Sequence, residues 1–222
     1  MDERPLPVCV FLPGIIAPAV VRYAPLIGAL GTNARAHTKE LELYTASPPP
    51  GDYAIADELE GLSRSVRRAG LNRFHLYGHS GGGAVALAFT ATHPELVTEE
   101  PAQAMPRLMR LELKPGVEFA PPAGGAPPLP NRPAGIAALL RAFERHTLDT
   151  DALRGFQGHV LYTRGSLSAD RYERSANRLA AIFPDFREIV FDGLHHLNTS
   201  HQAEPARVAG VLLDLWSARE SP

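Results

Sequence analysis

The sequence predicts an α/β fold, a mostly parallel sheet flanked by helices, and three observations carry that expectation. Short β-branched or aromatic runs recur at Val8–Leu12 (VCVFL), Phe74–Tyr77 (FHLY) and His159–Thr163 (HVLYT). Longer segments with apolar residues at helical spacing lie between them. Each run ends in glycine, proline or a small polar group, the punctuation of a strand-to-helix connection.

Taken in order, Val8–Leu12 is a buried strand stopped by Pro13-Gly14. Residues 19–30 (AVVRYAPLIGAL) follow with helix-like spacing, weakened by Pro25 and Gly28. Glu40–Tyr44 (ELELY) alternates as a strand does and is ended by SPPPGDY. Asp52 or Asp57 then caps a helix over Ile55–Ala69, whose Ile55, Leu59, Leu62 and Val66 form one apolar stripe. The strand at 74–77 leads through Gly78–Gly82 into a helix at 81–92, closed by His93-Pro94. Leu96–Val97 and Thr98-Glu99-Glu100-Pro101 stand where another buried strand is due, without a long apolar run.

Residues 101–131 are rich in proline and glycine, and a helix follows at Ala134–Thr147. We read 101–155 as a small lid or cap-like insertion into one domain spanning 1–222. The regular pattern resumes with the strand at 159–163, a helix at 169–183, a last strand at Arg187–Phe191 and a closing helix at 203–218. Val208, Val211, Leu212, Leu215 and Trp216 make the core face of that closing helix.

A chain of 222 residues is long enough for one domain with a full core. Its net charge of −2 excludes an electrostatic case for nucleic acid or an anionic membrane. The single cysteine, Cys9, rules out an intrachain disulfide and has apolar neighbours, as a buried thiol does. MDERPLP is not a signal region and no run reaches membrane-spanning length, so a cytoplasmic setting is expected.

The chemistry concentrates in FHLYGHSGGGAVALAF, residues 74–89. Glycines flanking Ser80 allow a turn too sharp for side chains, which lifts the serine hydroxyl clear on a strained backbone. The helix that begins there points free N–H groups at the same place, which suits a developing oxyanion. A serine needs a base within hydrogen-bond reach. His195 and His196, in the loop after the last strand and followed by His201, are the candidates. His75, His79 and His159 sit in or beside strands and read as structural. No Cys/Asp/Glu cluster has metal-ligand spacing beside the histidines, so no metal is expected.

These stretches resemble the α/β-hydrolase superfamily: FLPG at 11–14, YGHSGGG at 77–83, HPELV at 93–97, VLYTRGS at 160–166, FDGLHHLN at 191–198 and AEPARVAGVLLDLW at 203–216. The resemblance implies an acyl-transfer enzyme with a Ser–acid–His triad in that chain order. It places the nucleophile at Ser80 and the base, the last residue of a Gly-x-x-His, at His196, with His195 the alternative. The usual acid position falls on Ser168, with Asp170 two residues on. The similarity is closer to bacterial members with an acid before proline after the sixth strand, which points to Glu100. The loop after the first strand (12–19) implies an oxyanion hole from the N–H of Ile15 or Ile16 together with Gly81. Too little chain precedes Val8–Leu12 for the family's N-terminal hairpin, which is expected to be missing.

The expected activity is hydrolysis of an ester or thioester of a small, partly apolar substrate through an acyl-enzyme. Two alternatives use the same residues: a catalytically weak or inactive hydrolase-fold binding protein, and a lyase or cofactor-free haloperoxidase. The partner is a small-molecule substrate, and nothing in the sequence specifies the oligomeric state.

Overall fold

The computed structural model describes residues 6–45, 49–100, 113–117 and 132–217, of which 98–100, 132 and 133 are described by backbone alone. Its elements are β1 (Val8–Leu12), α1 (Ala19–Leu30), β2 (Arg35–Thr38), α2 (Ile55–Arg68), β3 (Phe74–Gly78), α3 (Gly81–Thr92) and β4 (Val97–Glu100). Then come α4 (Arg132–Arg145), α5 (Thr150–Arg154), β5 (His159–Gly165), α6 (Asp170–Ala180), β6 (Phe186–Phe191), α7 (Ser200–Ala203) and α8 (Pro205–Ser217). The strands form one sheet in the order β2-β1-β3-β4-β5-β6, and every pairing is parallel.

Strand periodicity explains how the sheet buries both faces. Val10 and Leu12 of β1 join Phe74 and Leu76 of β3 in a core completed by α2, α3, α4, α5 and α6. Cys9, Phe11 and Tyr77 point the other way and pack with α1 and α8. The stripe predicted on α2 faces the first of these cores: Ile55, Leu62 and Val66 are buried, with Leu59 packed alongside. Asp57 holds the start of that helix by accepting from the Ala54 N–H at 2.7 Å. On α8, Val208, Leu212 and Trp216 are buried, with Val211 and Leu215 at the margin.

Three expectations change in detail. The second strand is Arg35–Thr38, not Glu40–Tyr44, and Glu42–Tyr44 is a turn of 3₁₀ helix. RAHT is a half-exposed edge strand specified by its pairing with β1, so it carries no apolar signal of its own. The buried Glu58 carboxylate accepts the N–H groups of Glu42 (2.8 Å) and Leu43 (2.9 Å) and thereby holds the 3₁₀ turn. Pro25 and Gly28 do not interrupt α1, because both lie on its exposed face. The run at 97–100 does form a strand, short and bulged against β3.

Much of the expected lid at 101–155 lies outside the described residues. Its last part, α4 and α5, packs onto the core through Leu139, Ala142 and Leu153. Among the described residues no helix is long and apolar enough to cross a membrane.

Candidate active site

The carboxyl ends of the parallel strands lie along one edge of the sheet, where β1 and β3 meet the turn around Ser80. This residue has φ 54 and ψ −120, and it is the one non-glycine residue of positive φ among the described residues. Holding a side chain there costs about 1–3 kcal/mol, so the surroundings must impose it. They do so through close backbone contact. A Cβ on Gly82 would lie 2.4 Å from the Pro13 carbonyl oxygen and 2.5 Å from that of Leu12. One on Gly78 would meet the Gly82 oxygen at 2.6 Å. Both glycines of the motif are therefore required by the approach of α3 to β1 and β3. The N–H groups of Gly82, Gly83 and Ala84 bond to His79 and Ser80 carbonyls, leaving Gly81 at the open end of α3.

The loop from Pro13 to Pro18 presses on the same turn: a Cβ on Gly14 would lie 3.1 Å from Ser80 Cβ. Ile15 is buried, whereas Ile16 is 44% exposed. The Tyr44 hydroxyl donates to the Ile15 carbonyl at 2.9 Å. This fixes the plane of the Ile15–Ile16 peptide, with the Ile16 N–H directed away from Tyr44. Tyr44 is in turn confined by α4, since a Cβ on Gly135 would overlap its ring.

The histidine loop is pinned to the end of β5. Ser166 N–H donates to Phe191 O, Leu167 N–H to Leu194 O, and Gly193 N–H to the Ser166 hydroxyl, each at 2.9 Å. His195 caps the short turn His196–Asn198: its Nδ1 accepts from the N–H groups of Leu197 (3.2 Å) and Asn198 (3.1 Å). His196 is buried between two rings, His79 at 4.8 Å and Tyr172 at 4.5 Å between centroids, both stacked. His79 precedes Ser80, so the stack brings His196 to the serine turn. Among the described residues no side chain hydrogen-bonds the Ser80 hydroxyl.

Burial pushes the His196 imidazole down to about 3, aided by the positive charges of Arg22 and Arg171. It is therefore neutral at pH 7, with a lone pair to offer, but reluctant to become charged. His195 is also pushed down by burial. His201 is buried behind them, well below the ordinary histidine range for the same reason. Its ring lies between the Tyr77 hydroxyl (3.3 Å to Nδ1) and the Thr199 hydroxyl (3.1 Å to Nε2).

The candidate acids stand apart. Glu100 ends β4, one strand from the serine strand, where its backbone pairs with Val160; its side chain lies outside the described residues. Asp170 opens α6 as an exposed first-turn acid with no hydrogen bond to either histidine. Ser168 is buried at the edge of a small cleft that His195, His196, Tyr172 and Thr199 also line. Among the described residues no group of three His, Cys, Asp or Glu side chains could hold a metal ion.

Sequence reasoning missed His79, Tyr172 and Arg22 as neighbours of His196. Only His79 offered a signal, its adjacency to Ser80. The other two come from α1 and α6 and reach the site through tertiary packing alone.

The strand order, the helix layers and the strained serine turn define an α/β-hydrolase fold. Comparison with solved structures says the same of the whole chain. An alpha/beta hydrolase enzyme from the metagenome of lagoon sediments at Mar Chica, Morocco, superposes with a TM-score of 0.73 at 16% identity, over 98% of this chain and 93% of that one. A probable hydrolytic enzyme from Pseudomonas aeruginosa gives 0.73 at 15% identity, over 96% and 86%. A carboxylesterase from Bacillus subtilis gives 0.68 at 16% identity, over 97% and 85%. No protein-family model matches the chain, and no curated protein is similar to it in sequence.

Proposed function

We propose that the protein is a serine hydrolase that cleaves an ester or thioester of a small, partly apolar substrate through an acyl-enzyme. The observation that carries this reading is the backbone of Ser80, held at φ 54 where only a demanding role repays the strain. In the proposed cycle the neutral His196 takes the Ser80 proton as the hydroxyl attacks the carbonyl. Gly81 and Ile15 N–H groups hold the oxyanion, Ile15 being preferred to Ile16 because its peptide begins at Gly14, against the elbow. His196 returns the proton to the leaving group, and water then repeats the sequence on the acyl-enzyme.

An imidazole held near 3 needs a carboxylate partner to carry charge in the transition state. Glu100, at the end of the neighbouring strand, is the acid we assign, ahead of the exposed Asp170. His195 has its Nδ1 committed to the turn, which supports His196 as the base. The exposed Ile16, in the loop that presses on the elbow, suits a partly apolar substrate. The cycle needs no cofactor, and the buried lone cysteine agrees with a cytoplasmic setting.

The depressed basicity of His196 favours one alternative, a binding protein with little turnover. A fluorophosphonate probe with short-chain nitrophenyl esters decides between them. Wild type should be labelled and turn over ester, and Ser80→Ala should do neither; identical behaviour of the two removes the hydrolase reading.

A further inference from the structure

Arg22 stands out among the arginines of the described residues. It lies on the inward side of α1 with 7% of its surface exposed. Among the described residues its one hydrogen-bond acceptor is Gln202 Oε1, 3.3 Å from Nη1, while Nε is buried without any acceptor. Among the described residues no carboxylate pairs with it. Arg64, Arg154, Arg164 and Arg207, by contrast, each reach a glutamate or aspartate. A buried guanidinium without a counter-ion destabilises a fold, and apolar replacement of such a group is commonly neutral or stabilising. Packing does not explain its presence.

Its position suggests what does. Arg22 is wedged between the helix that follows the oxyanion loop and α7, which follows the histidine loop. Gln202 also contacts the Thr199 hydroxyl, and Thr199 holds His201. The His201 ring lies 5.0 Å from that of His79, which stacks on His196. The groups facing Arg22 from these elements are Tyr23, Tyr77, His201 and His196, all neutral at pH 7. On the far side of the stack Arg171 lies 5.0 Å over the Tyr172 ring. Two cations thus bracket the imidazole that is to become charged.

With Nη1 turned to Gln202, the uncommitted edge of Arg22 is that of Nε and Nη2, the pair of parallel donors that grips a carboxylate. We propose that Arg22 is the carboxylate receptor of this site, and that the substrates are hemi-esters, small esters that carry a second, free carboxylate. This rests on the serine-hydrolase reading for the reaction, though not for the binding. The bound carboxylate neutralises the guanidinium beside His196, so imidazolium formation becomes easier when an acidic substrate is in place. An acidic substrate would thereby assist its own turnover electrostatically.

The test uses the full chain carrying Ser80→Ala, titrated calorimetrically with monomethyl glutarate and with its neutral dimethyl ester. The monoanion is expected to bind at least 10-fold more tightly and to raise the melting temperature. Adding Arg22→Met should erase that discrimination without lowering the melting temperature of the unliganded protein. Equal binding of the two esters, or discrimination that survives Arg22→Met, overturns the proposal. If Arg22→Met fails to fold, Arg22→Lys serves: it keeps the charge, lacks the two-donor edge, and should lose most of the discrimination. Fluorophosphonate labelling of wild type reports separately on hydrolysis. Anion binding without labelling keeps the Arg22 site and removes the hydrolase, and labelling without discrimination does the reverse.

Discussion

Ser80 and His196, linked through the His79 ring that precedes the serine and stacks on the histidine, are held by unlike means. Around Ser80 the constraint is backbone against backbone: Gly78 and Gly82 touch a neighbouring segment where no side chain would fit, and at Gly14 a Cβ would be tight. Around His196 the constraint is ring against ring and charge against charge, with His79 and Tyr172 on its faces and Arg22 and Arg171 nearby. A site half built on backbone can be read from short motifs. A site half built on remote side chains cannot, and it is also the half whose basicity the surroundings can tune.

The largest effect should come from Ser80. Ser80→Ala is expected to remove probe labelling and lower ester turnover by roughly 10³-fold or more. Ser80→Gly should do the same while raising stability by about 1 kcal/mol in urea unfolding, because glycine accepts the positive φ. A Ser80→Gly protein no more stable than wild type would mean that the elbow is not strained.

On the base side, His196→Gln should cost about 10²–10⁴-fold in kcat, since the proton then has no acceptor. Glu100→Gln should approach that loss and Asp170→Asn should not. The opposite ranking would move the acid to α6.

Gly82→Ala sharpens the comparison from the backbone side. Its Cβ would meet two carbonyl oxygens, so a loss of about 2–3 kcal/mol is expected by denaturant unfolding. Tyr172→Leu removes a fully buried ring, so it should cost about 1–3 kcal/mol more than Tyr172→Phe and lower kcat where Phe does not, because only Phe keeps the ring on His196.

The most gradual effect is a pH dependence. His196 and His201 are depressed in the folded state, so the unfolded chain binds more protons once pH falls below about 6.5. Their contribution to stability is whole above that value and declines through the range down to about 3, where His196 itself titrates. The slope should be about 1.4 kcal/mol per pH unit for each imidazole. His201→Gln should remove one of the two, visible as a shallower fall of the urea midpoint between pH 6 and 4. An unchanged slope would show that His201 is not buried neutral.

The legible part of the fold followed from local physics. Val8–Leu12, 74–78 and 159–165 are strands because buried parallel strands are continuous apolar runs, and α2 and α8 declare their buried faces by spacing. The misread part was Arg35–Thr38, a polar edge strand whose partner, β1, lies more than twenty residues earlier. ELELY looked like the strand because Leu41 and Leu43 are buried, yet Glu58 turns the backbone N–H groups of Glu42 and Leu43 away from any ladder. In the site, the Gly-x-Ser-x-Gly turn was visible because glycine has few other reasons to flank a serine between strand and helix. The stack of Tyr172 on His196 was not, because nothing at 172 distinguishes a site tyrosine from a core one.

By itself the sequence determined a parallel α/β sheet and a serine on a turn that only glycines permit, because strand periodicity and positive φ are properties of a few adjacent residues. Which histidine is stacked beside that turn, which one caps its own loop instead, and that a buried arginine stands behind them, the tertiary structure alone decided. Stacking, desolvation and unpaired charge depend on what distant segments bring together, and no window of sequence contains them.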